Sequence, residues 1–541
     1  MPAFTTRLRL NIRDPRRRLP GARQRLESRL PPTLLVAVMV GLTVALLLAT
    51  PWAVQAAQPA PVAAPTVPAA DAPATRISAD DARRDLRTLK RAFTELHPGL
   101  VRYATVADID TAFADAEAEV EQGATRGQMF LIASRLAAVV RCGHTWASPY
   151  NQPPAVVKEV FERDDKLPLT LRQVDGRLLV TASAVPGLVA GAELLAINGR
   201  PAAHIVQGLL PYLRADGRSA GSEAKRLSQL DHGPNGGAMD RLFPLRFPPA
   251  AGSWRLTVRD AGSSAPRDTV APPISVAERT RALGAAAPAS QAAPWRLAIE
   301  GDTAVLTLPT FAFWRGGFDA RGFLQRSFDE LRLKQVPRLI IDIRQNEGGD
   351  DALGNAVLAQ LLKAPYTLPA MRIESAYERA PYDLARFLDT WNFGFFDRTG
   401  QVVRGPGRNW QLPDRPPVTT QPVAEPYFGS VVLLVGPQNS SAGYLLARDV
   451  QRSGAATLIG QPTGGNLRGL NGGQLAWINL PASGVGVDIP LVAAFAPGDE
   501  PDRGVIPEIV VAPSWNDAAA GIDTEMAAAR RWLSNGSAKP R

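Results

Sequence analysis

The chain has 541 residues, of which 45% are hydrophobic and 21% are charged, a composition that excludes general disorder and allows two or three folded domains. Its net charge of +9 is concentrated in residues 1–30, where nine arginines and two acidic residues leave only +2 for the rest of the chain. A nearly neutral body excludes a broad phosphate-binding surface, so we expect no nucleic-acid partner.

An uncharged apolar run at residues 33–50 follows the arginines, and the small residues at 54–56 fit the cleavage site of an export signal. A run of this length also just spans a bilayer, so residues 1–56 predict either a signal peptide or a signal anchor. Both alternatives place the rest of the chain in the periplasm or otherwise outside the cytoplasm. In the second alternative, residues 33–50 attach the protein to the inner membrane. The single cysteine, Cys142, excludes an internal disulfide.

Helices are expected first in the folded part, after an Ala/Pro linker at residues 57–75. They predict a helical N-terminal subdomain over residues 76–155. The three helices are expected between the N-cap Ser78 and Pro98, over residues 108–122, and over residues 126–140. The third helix leads into the sequence RCGHTWAS at Arg141–Ser148, which contains a Gly-His-Thr turn.

Short apolar alternations then predict a β-rich module over residues 160–275, with one or two helices. Within it, the stretch LVAGAELLAINGRPA places an Ile-Asn-Gly turn between a strand and a helix that begins near Ala203.

The last third alternates strands with helices, which predicts an α/β layer with a largely parallel sheet. Strands are expected at 303–308, 338–344, 430–435 and 456–459, and helices at 318–333, 351–362 and 441–452. A C-terminal helix and tail occupy residues 516–541. Chemistry in such sheets collects in the loops at the carboxyl ends of the strands.

The first such loop is RQNEGGDD, Arg344–Asp351. Its two glycines bring bare backbone amides to a strand-to-helix turn, where they can stabilise a carbonyl oxygen that gains negative charge. The same glycines are also typical of a tight turn that only requires positive φ.

The second loop is QNSS, Gln438–Ser441, which stands between a strand and a helix. A serine at a helix N-terminus is either a plain N-cap or a nucleophile held beside free amides. Ser441 has Gly443 after it but Asn439 before it, so the Gly-x-Ser-x-Gly elbow is half met.

A nucleophilic serine needs a base, and the chain has four histidines: His97, His144, His204 and His232. His97 and His204 are expected at the surface or in capping positions. His232 lies in a glycine-rich loop without a partner pattern. His144 stands in an exposed turn beside Trp146.

Four stretches occur together in the order of a known family: RLIIDIRQNEGGD, VVLLVGPQNSSAGYLLA, TLIGQPTGGN and DRGVIPEIVV. Residues 295–513 thereby resemble the tail-specific, or C-terminal-processing, serine peptidases. The resemblance implies a ClpP/crotonase-like catalytic domain over residues 295–515, outside the cytoplasm, that hydrolyses peptides or unfolded proteins without a metal or cofactor. LVAGAELLAINGRP is similar to a turn of PDZ modules, which makes the β-rich module PDZ-like.

The resemblance assigns Ser441 as the nucleophile, and it assigns the oxyanion donors to the amide of Ala442 and to that of Gly348 or Gly349. Family members with a serine/lysine dyad carry the lysine after the nucleophile's helix. Here that segment, IGQPTGGNLRGLNGG, has none. We therefore expect no serine/lysine dyad.

The tricorn-core-like branch of the family uses a histidine instead, and His144 matches its place. This branch also has an acid near a Gly-Val-x-Pro motif, for which Asp502 is favoured over Glu500 and Asp499. Two departures stand out. Gly143 replaces a serine of the tricorn pattern, and Tyr444 replaces a glutamate that is frequent in the family.

The sequence thus predicts an exported serine peptidase that acts through an acyl-enzyme. One alternative is a non-catalytic periplasmic scaffold of the same fold that binds peptides or lipids. Another is an esterase or amidase that acts on small acyl substrates. Ser440 is the first alternative nucleophile, and the oligomeric state is left open.

Overall fold

A computed structural model describes residues 74–232, 237–249, 252–283, 295–314, 316–368, 370–405, 407–413 and 417–536. These residues belong to one compact unit, Asp71–Arg541. The predicted signal or anchor segment at residues 1–56 lies outside the described residues, as does most of the linker. Among the described residues, no helix combines the length and the apolar composition needed to cross a membrane.

The N-terminal part contains the three predicted helices. They span Ala79–Leu96, Val106–Glu119 and Arg126–Val139. Each begins after a hydroxyl residue whose side chain accepts a hydrogen bond from a backbone amide of the first turn, which satisfies an otherwise orphaned donor. The second helix begins two residues earlier than expected, because Thr105 and Asp108 form a capping box.

The β-rich module is built on an antiparallel sheet. Its strands, in spatial order, are Leu169–Val174, Arg177–Ser183, Glu193–Ile197, Trp254–Arg259 and Arg267–Ala271. The short strand Arg200–Pro201 folds back on the third strand through Asn198 and Gly199, which have φ values of 50° and 73°. The predicted Ile-Asn-Gly turn is confirmed, and the helix after it begins at Ala202.

The module holds more helix than the predicted one or two. Its helices are Ala202–Leu209, Ala220–Ser228, Ala238–Arg241 and Phe243–Arg246, and the helix Val276–Leu283 follows directly after it. The second was missed because it has no regular apolar stripe: Gly221, Ser222 and Lys225 are its buried residues. Tertiary contacts, rather than periodicity, define this helix.

The last third folds as a six-stranded sheet. Its strands, in spatial order, are Ile509–Val510, Thr457–Gly460, Ser430–Val435, Arg338–Asp342, Thr303–Thr307 and Arg296–Glu300. All neighbours pair in parallel except the last two. The predicted largely parallel sheet is thus confirmed, with the four predicted strands in place and the two edge strands added.

Helices cover both faces of this sheet. Ala320–Leu333, Asp351–Leu361 and Ser441–Ser453 pack on one face around Leu339, Ile341 and Leu433. Thr524–Ser534 packs on the other face against Ile340, Val432 and Leu434. Because both faces are covered, these strands read as continuous apolar runs in the sequence.

Smaller sheets are inserted where the sequence indicated no elements. One pairs Tyr366–Thr367 with Thr419–Thr420, one joins Val403–Arg404, Trp410–Gln411, Arg372–Ser375 and Ala493–Phe495, and one joins Leu388–Asp389, Leu475–Asn479 and Gly486–Pro490. Short α-helices lie at Pro154–Val156, Tyr382–Ala385 and Trp515–Ala519, a π-helix at Val157–Phe161, and 3₁₀ helices at Leu210–Tyr212 and Phe393–Phe396. The strand Arg76–Ile77 pairs with Ala124–Thr125.

One buried carboxylate connects the first helix to the last of these small sheets. Asp85 is fully buried, and its two oxygens accept hydrogen bonds from the amides of Ala482 and Ser483, both at 2.8 Å. These amides stand in the loop before strand Gly486–Pro490, and the carboxylate accepts the hydrogen bonds of both.

We expect Asp85→Ala to lower the free energy of unfolding by about 2 kcal/mol, because it orphans two buried donors. Urea denaturation followed by circular dichroism measures this loss. Asp115→Ala, an exposed aspartate in the second helix, is the control and should stay within about 0.5 kcal/mol of wild type. Equal stability of the two variants would contradict the assignment.

Candidate active site

Ser441 is the first residue of its helix and adopts φ = 48°, a left-handed conformation that is strained for a residue with a side chain. The plain N-cap interpretation does not apply to it, since Ser440 occupies the N-cap position. The Ser440 hydroxyl points elsewhere and donates to the Glu347 carbonyl at 3.2 Å. Ser441 is therefore the serine held at a strained strand-to-helix junction, as a nucleophile elbow requires.

Asn439 explains why the first glycine of the elbow pattern is absent. Its amide group donates to the carbonyls of Ile343 and Asn346, the latter at 3.1 Å, and its oxygen accepts from the Gly436 amide at 2.8 Å. We call residues 436–440 the serine loop and residues 344–350 the glycine loop. Asn439 is the side chain that ties one loop to the other.

The two glycines of the glycine loop are required by close backbone approach. Gly348 has φ = 111°, and a Cβ there would lie 2.7 Å from Ser441 Cβ and 2.8 Å from the Ala442 nitrogen. Gly349 has φ = 138°, and a Cβ there would lie 2.1 Å from the carbonyl carbon of Phe311. No larger residue fits at either position without moving backbone.

The backbone amides near Ser441 differ in whether they already donate a hydrogen bond. The Gly348 amide donates to Asn346 Oδ1 at 2.8 Å. Among the described residues, the amides of Gly349 and Ala442 have no backbone or side-chain acceptor. Ala442 also stands in the first turn of its helix, where the dipole favours negative charge. Gly349 and Ala442 are thus the two amides available to an oxyanion.

The turn that carries His144 is held by the β-rich module. The Gly143 amide donates to Asp216 Oδ1 at 2.8 Å, and the Arg214 guanidinium donates to the Gly143 carbonyl. A Cβ on Gly143 would lie 2.4 Å from Asp216 Oδ2. This contact gives the physical reason for glycine where the tricorn pattern has serine.

His144 itself is half-buried, so the expected exposed turn is wrong. Its ring packs against Gly472, where a Cβ would lie 3.1 Å from Cε1, and its buried Nδ1 has no partner among the described residues. Burial lowers the pKa of His144, and the Asp216 carboxylate partly offsets this effect. The imidazole is therefore neutral at neutral pH, which is the form a general base needs.

Three charged side chains meet beside the two loops: Lys225, Arg214 and, from the glycine loop itself, Glu347. The sequence did not indicate this cluster. Lys225 Nζ lies 2.5 Å from Glu347 Oε1 and 3.1 Å from the Gln438 carbonyl. Arg214 Nη2 lies 3.0 Å from Glu347 Oε2, and its guanidinium stacks 3.7 Å from the Trp146 ring centroid. The family's serine/lysine pattern places a lysine only in the segment after the helix, and no sequence pattern marks one that arrives from the module.

The acids predicted from the sequence make other contacts. Asp502 accepts from Asn466 Nδ2 at 2.7 Å and from the Arg218 amide at 3.2 Å. Glu500 pairs with Arg452 at 3.0 Å. Asp499 lines a separate cavity of about 580 Å³. The contacts described here do not bring any of the three acids to His144.

Tyr444 takes the place of the family's frequent glutamate in an apolar setting. Its side chain is buried, its hydroxyl has no partner among the described residues, and its ring lies against Gly465, where a Cβ would come within 2.2 Å of Cγ. Burial raises the pKa of the phenol, so the group stays neutral. Tyr444 fills space beneath the start of its own helix, and its hydroxyl makes no hydrogen bond to Ser441.

The other histidines have structural surroundings. His97 caps the first helix but is fully buried, contrary to a surface position, with Nε2 2.9 Å from Thr145 Oγ1. His232 has the partner that the sequence did not reveal, Asp240, at 2.8 Å. His204 is exposed, as expected.

An ion cluster anchors the start of the glycine loop. The Arg344 guanidinium lies 2.7 Å from Asp342 and Asp523 and 2.8 Å from Glu525. Asp523 caps the helix Thr524–Ser534, so this helix is bonded to the loop that faces Ser441. As for metals, no cluster of three or more ligand side chains forms in the part of the chain that the structure describes.

Comparison with known proteins identifies one domain of the chain. Residues 302–511 match the sequence model of peptidase family S41. This segment is a family S41 domain, and the chain is a serine-type peptidase. No curated protein matches the chain.

Solved structures show the same fold around the S41 domain. A mutant of CPAF is 14% identical, with a TM-score of 0.57 over 85% of this chain and 99% of that one. Mature CPAF is 15% identical, with a TM-score of 0.54 and the same coverage of both chains. The tricorn protease is 12% identical, with a TM-score of 0.33 over 84% of this chain and 37% of that one, which does not decide between the family branches.

Because the Gly348 Cβ position is filled by Ser441 and Ala442, we expect Gly348→Ala to slow labelling of the S41 domain by a fluorophosphonate at least about 100-fold. Gly176→Ala is the matched control, since Gly176 also has positive φ, 75°, but nothing lies within 4 Å of its Cβ position. The control should be labelled at the wild-type rate. Wild-type labelling of Gly348→Ala would show that the close approach has no catalytic consequence.

Proposed function

We propose that the chain is an exported peptidase that cleaves peptide bonds through an acyl-enzyme at Ser441, with His144 as general base. The observation that carries the proposal is the strained Ser441 beside two unoccupied amides, those of Gly349 and Ala442. The half-buried imidazole of His144, neutral at neutral pH and within electrostatic reach of Glu347, supports its role as base.

The proposed reaction begins when Ser441 Oγ attacks the substrate carbonyl carbon and His144 takes the hydroxyl proton. The carbonyl oxygen becomes an oxyanion between the amides of Gly349 and Ala442, each worth about 3 kcal/mol in such sites. The carbon–nitrogen bond then breaks, and His144 returns the proton to the leaving amine. A water molecule, deprotonated by His144, cleaves the acyl-enzyme in the same way.

The contacts favour Asp216 over Asp502 as the acid that assists His144. Asp216 holds the His144 turn through Gly143, and its charge raises the pKa of the imidazole, as an acid that stabilises the imidazolium must do. Asp502 contacts the residue after Asp216, since a Cβ on Gly217 would lie 2.1 Å from Asp502 Oδ1.

The proposed substrate is a peptide or an unfolded protein outside the cytoplasm. Export rests on the arginine-rich start and apolar run of residues 1–56. The antiparallel sheet of the module is compatible with a PDZ-like role, in which a substrate tail adds as a further strand.

We expect a fluorophosphonate to label the wild type and Ser440→Ala, but not Ser441→Ala, in an in-gel fluorescence assay. Ser440→Ala is the matched control because it changes the adjacent hydroxyl. Labelling of Ser441→Ala with loss in Ser440→Ala would move the nucleophile. An unlabelled wild type that binds peptides would favour the scaffold, and turnover of small esters without peptides would favour the esterase.

We expect peptide hydrolysis to fall as the pH decreases, because protonated His144 cannot accept the serine proton. Burial lowers the pKa of His144, so the midpoint should lie below its ordinary value of about 6.5. A pH–rate profile of kcat/KM measures the midpoint. His144→Ala should lose about 100-fold or more of the activity and the acidic limb together, and a midpoint above 6.5 would contradict the assignment.

A further inference from the structure

Lys225 is a buried lysine that the proposed reaction does not use. Its side chain is 2% exposed, and lysines are rarely buried to this extent unless paired. Its ammonium donates to the Glu347 carboxylate of the glycine loop and to the Gln438 carbonyl of the serine loop. One cation thus connects the loop of the oxyanion amides to the loop that precedes Ser441.

The path of this side chain is fixed by packing. The helix Ala220–Ser228, capped by Ser219, carries Lys225 into the site. The stem crosses Gly464, where a Cβ would lie 2.8 Å from Lys225 Cβ and 2.9 Å from Cδ. The lysine is therefore inserted from the β-rich module into the S41 domain in one conformation.

Lys225 and Glu347 each favour the charged form of the other. Burial alone would raise the pKa of Glu347, but Lys225 and Arg214 lower it to about 2, so the carboxylate is ionised. Burial lowers the pKa of Lys225, and Glu347 opposes that effect. Of the two partners only Lys225 is buried, at 2% exposure against 43% for Glu347, so the lysine is the charge that depends more on the contact.

We propose that Lys225 is a positioning residue that holds the glycine loop and the serine loop in register for oxyanion stabilisation. The inference rests on the proposed function, because it presumes that these loops carry the oxyanion donors and the nucleophile. Since the lysine belongs to the module, a movement of the helix Ala220–Ser228 would release both loops at once.

The position of Lys225 also affects the imidazole. The charged and titratable groups that act on His144 are Asp216, Arg214, Glu347, Lys225 and His97. Lys225 lowers the pKa of His144 and Glu347 raises it. Neutralising the lysine should therefore move the acidic limb of activity to higher pH, whereas neutralising the glutamate should move it to lower pH.

The test uses Lys225→Met and Glu347→Gln, with fluorophosphonate inactivation measured between pH 5 and 8. For both variants we expect the inactivation rate constant to fall about 100-fold, the cost of a small misplacement, with the probe's binding constant unchanged. The acidic limb of the pH profile should move to higher pH in Lys225→Met and to lower pH in Glu347→Gln.

Lys166→Met is the matched control. Lys166 is a second lysine of the module, 3% exposed and 3.2 Å from Asp165, but it pairs with Ile274 away from the two loops. Its variant should lower the melting temperature and leave the inactivation rate constant and the limb at wild-type values. A purely structural role of Lys225 would give the same result for both lysines.

The outcomes separate this inference from the proposed function. An unlabelled wild type would remove the proposed function. A labelled wild type together with a folded Lys225→Met of wild-type rate and limb would overturn only the positioning role. If Lys225→Met does not fold, Glu347→Gln decides, since its side chain is 43% exposed and glutamine keeps its size. An unchanged rate in that variant would overturn the inference.

Discussion

The catalytic half of the molecule depends on the approach of two backbone segments without any side chain between them. Neighbouring parallel strands, Arg338–Asp342 and Ser430–Val435, end in register, so the glycine loop and the serine loop leave the sheet side by side. Gly348 then lies against Ser441 and Ala442. Because a single Cβ would separate these segments, the amides and the strained serine share one rigid location, and preorganised donors of this kind need no rearrangement during reaction.

The rest of the chain supports that location from outside the S41 domain. The N-terminal helices deliver the turn of His144, and the module fixes it through Asp216 and Arg214. The same module sends Lys225 to both loops. The proposed catalytic centre is therefore assembled from three sequence regions, and its electrostatics come largely from the one that carries no catalytic motif.

The sequence predicted the features that depend on residues close together in the chain. Apolar runs predicted the central strands, and hydroxyl residues predicted the helix starts. The order of four motifs selected Ser441 as a candidate, and the Gly-His-Thr turn selected His144. Local pattern could not predict the two- to four-residue strands between residues 362 and 429, which are stabilised only by their partners. Nor could it give Asp216 or Lys225, because their roles arise from contacts with residues about 70 to 210 positions away in the chain.

Arg344 adds a constraint of a different kind. Two of its three carboxylate partners, Asp523 and Glu525, stand at the start of the helix Thr524–Ser534, which also covers the far face of the sheet. For a peptidase that trims protein tails, removal of its own C-terminal helix would therefore be destabilising. Digestion past residue 523 would strip the glycine loop of its anchor and uncover apolar strands, so self-cleavage there would end activity instead of maturing it.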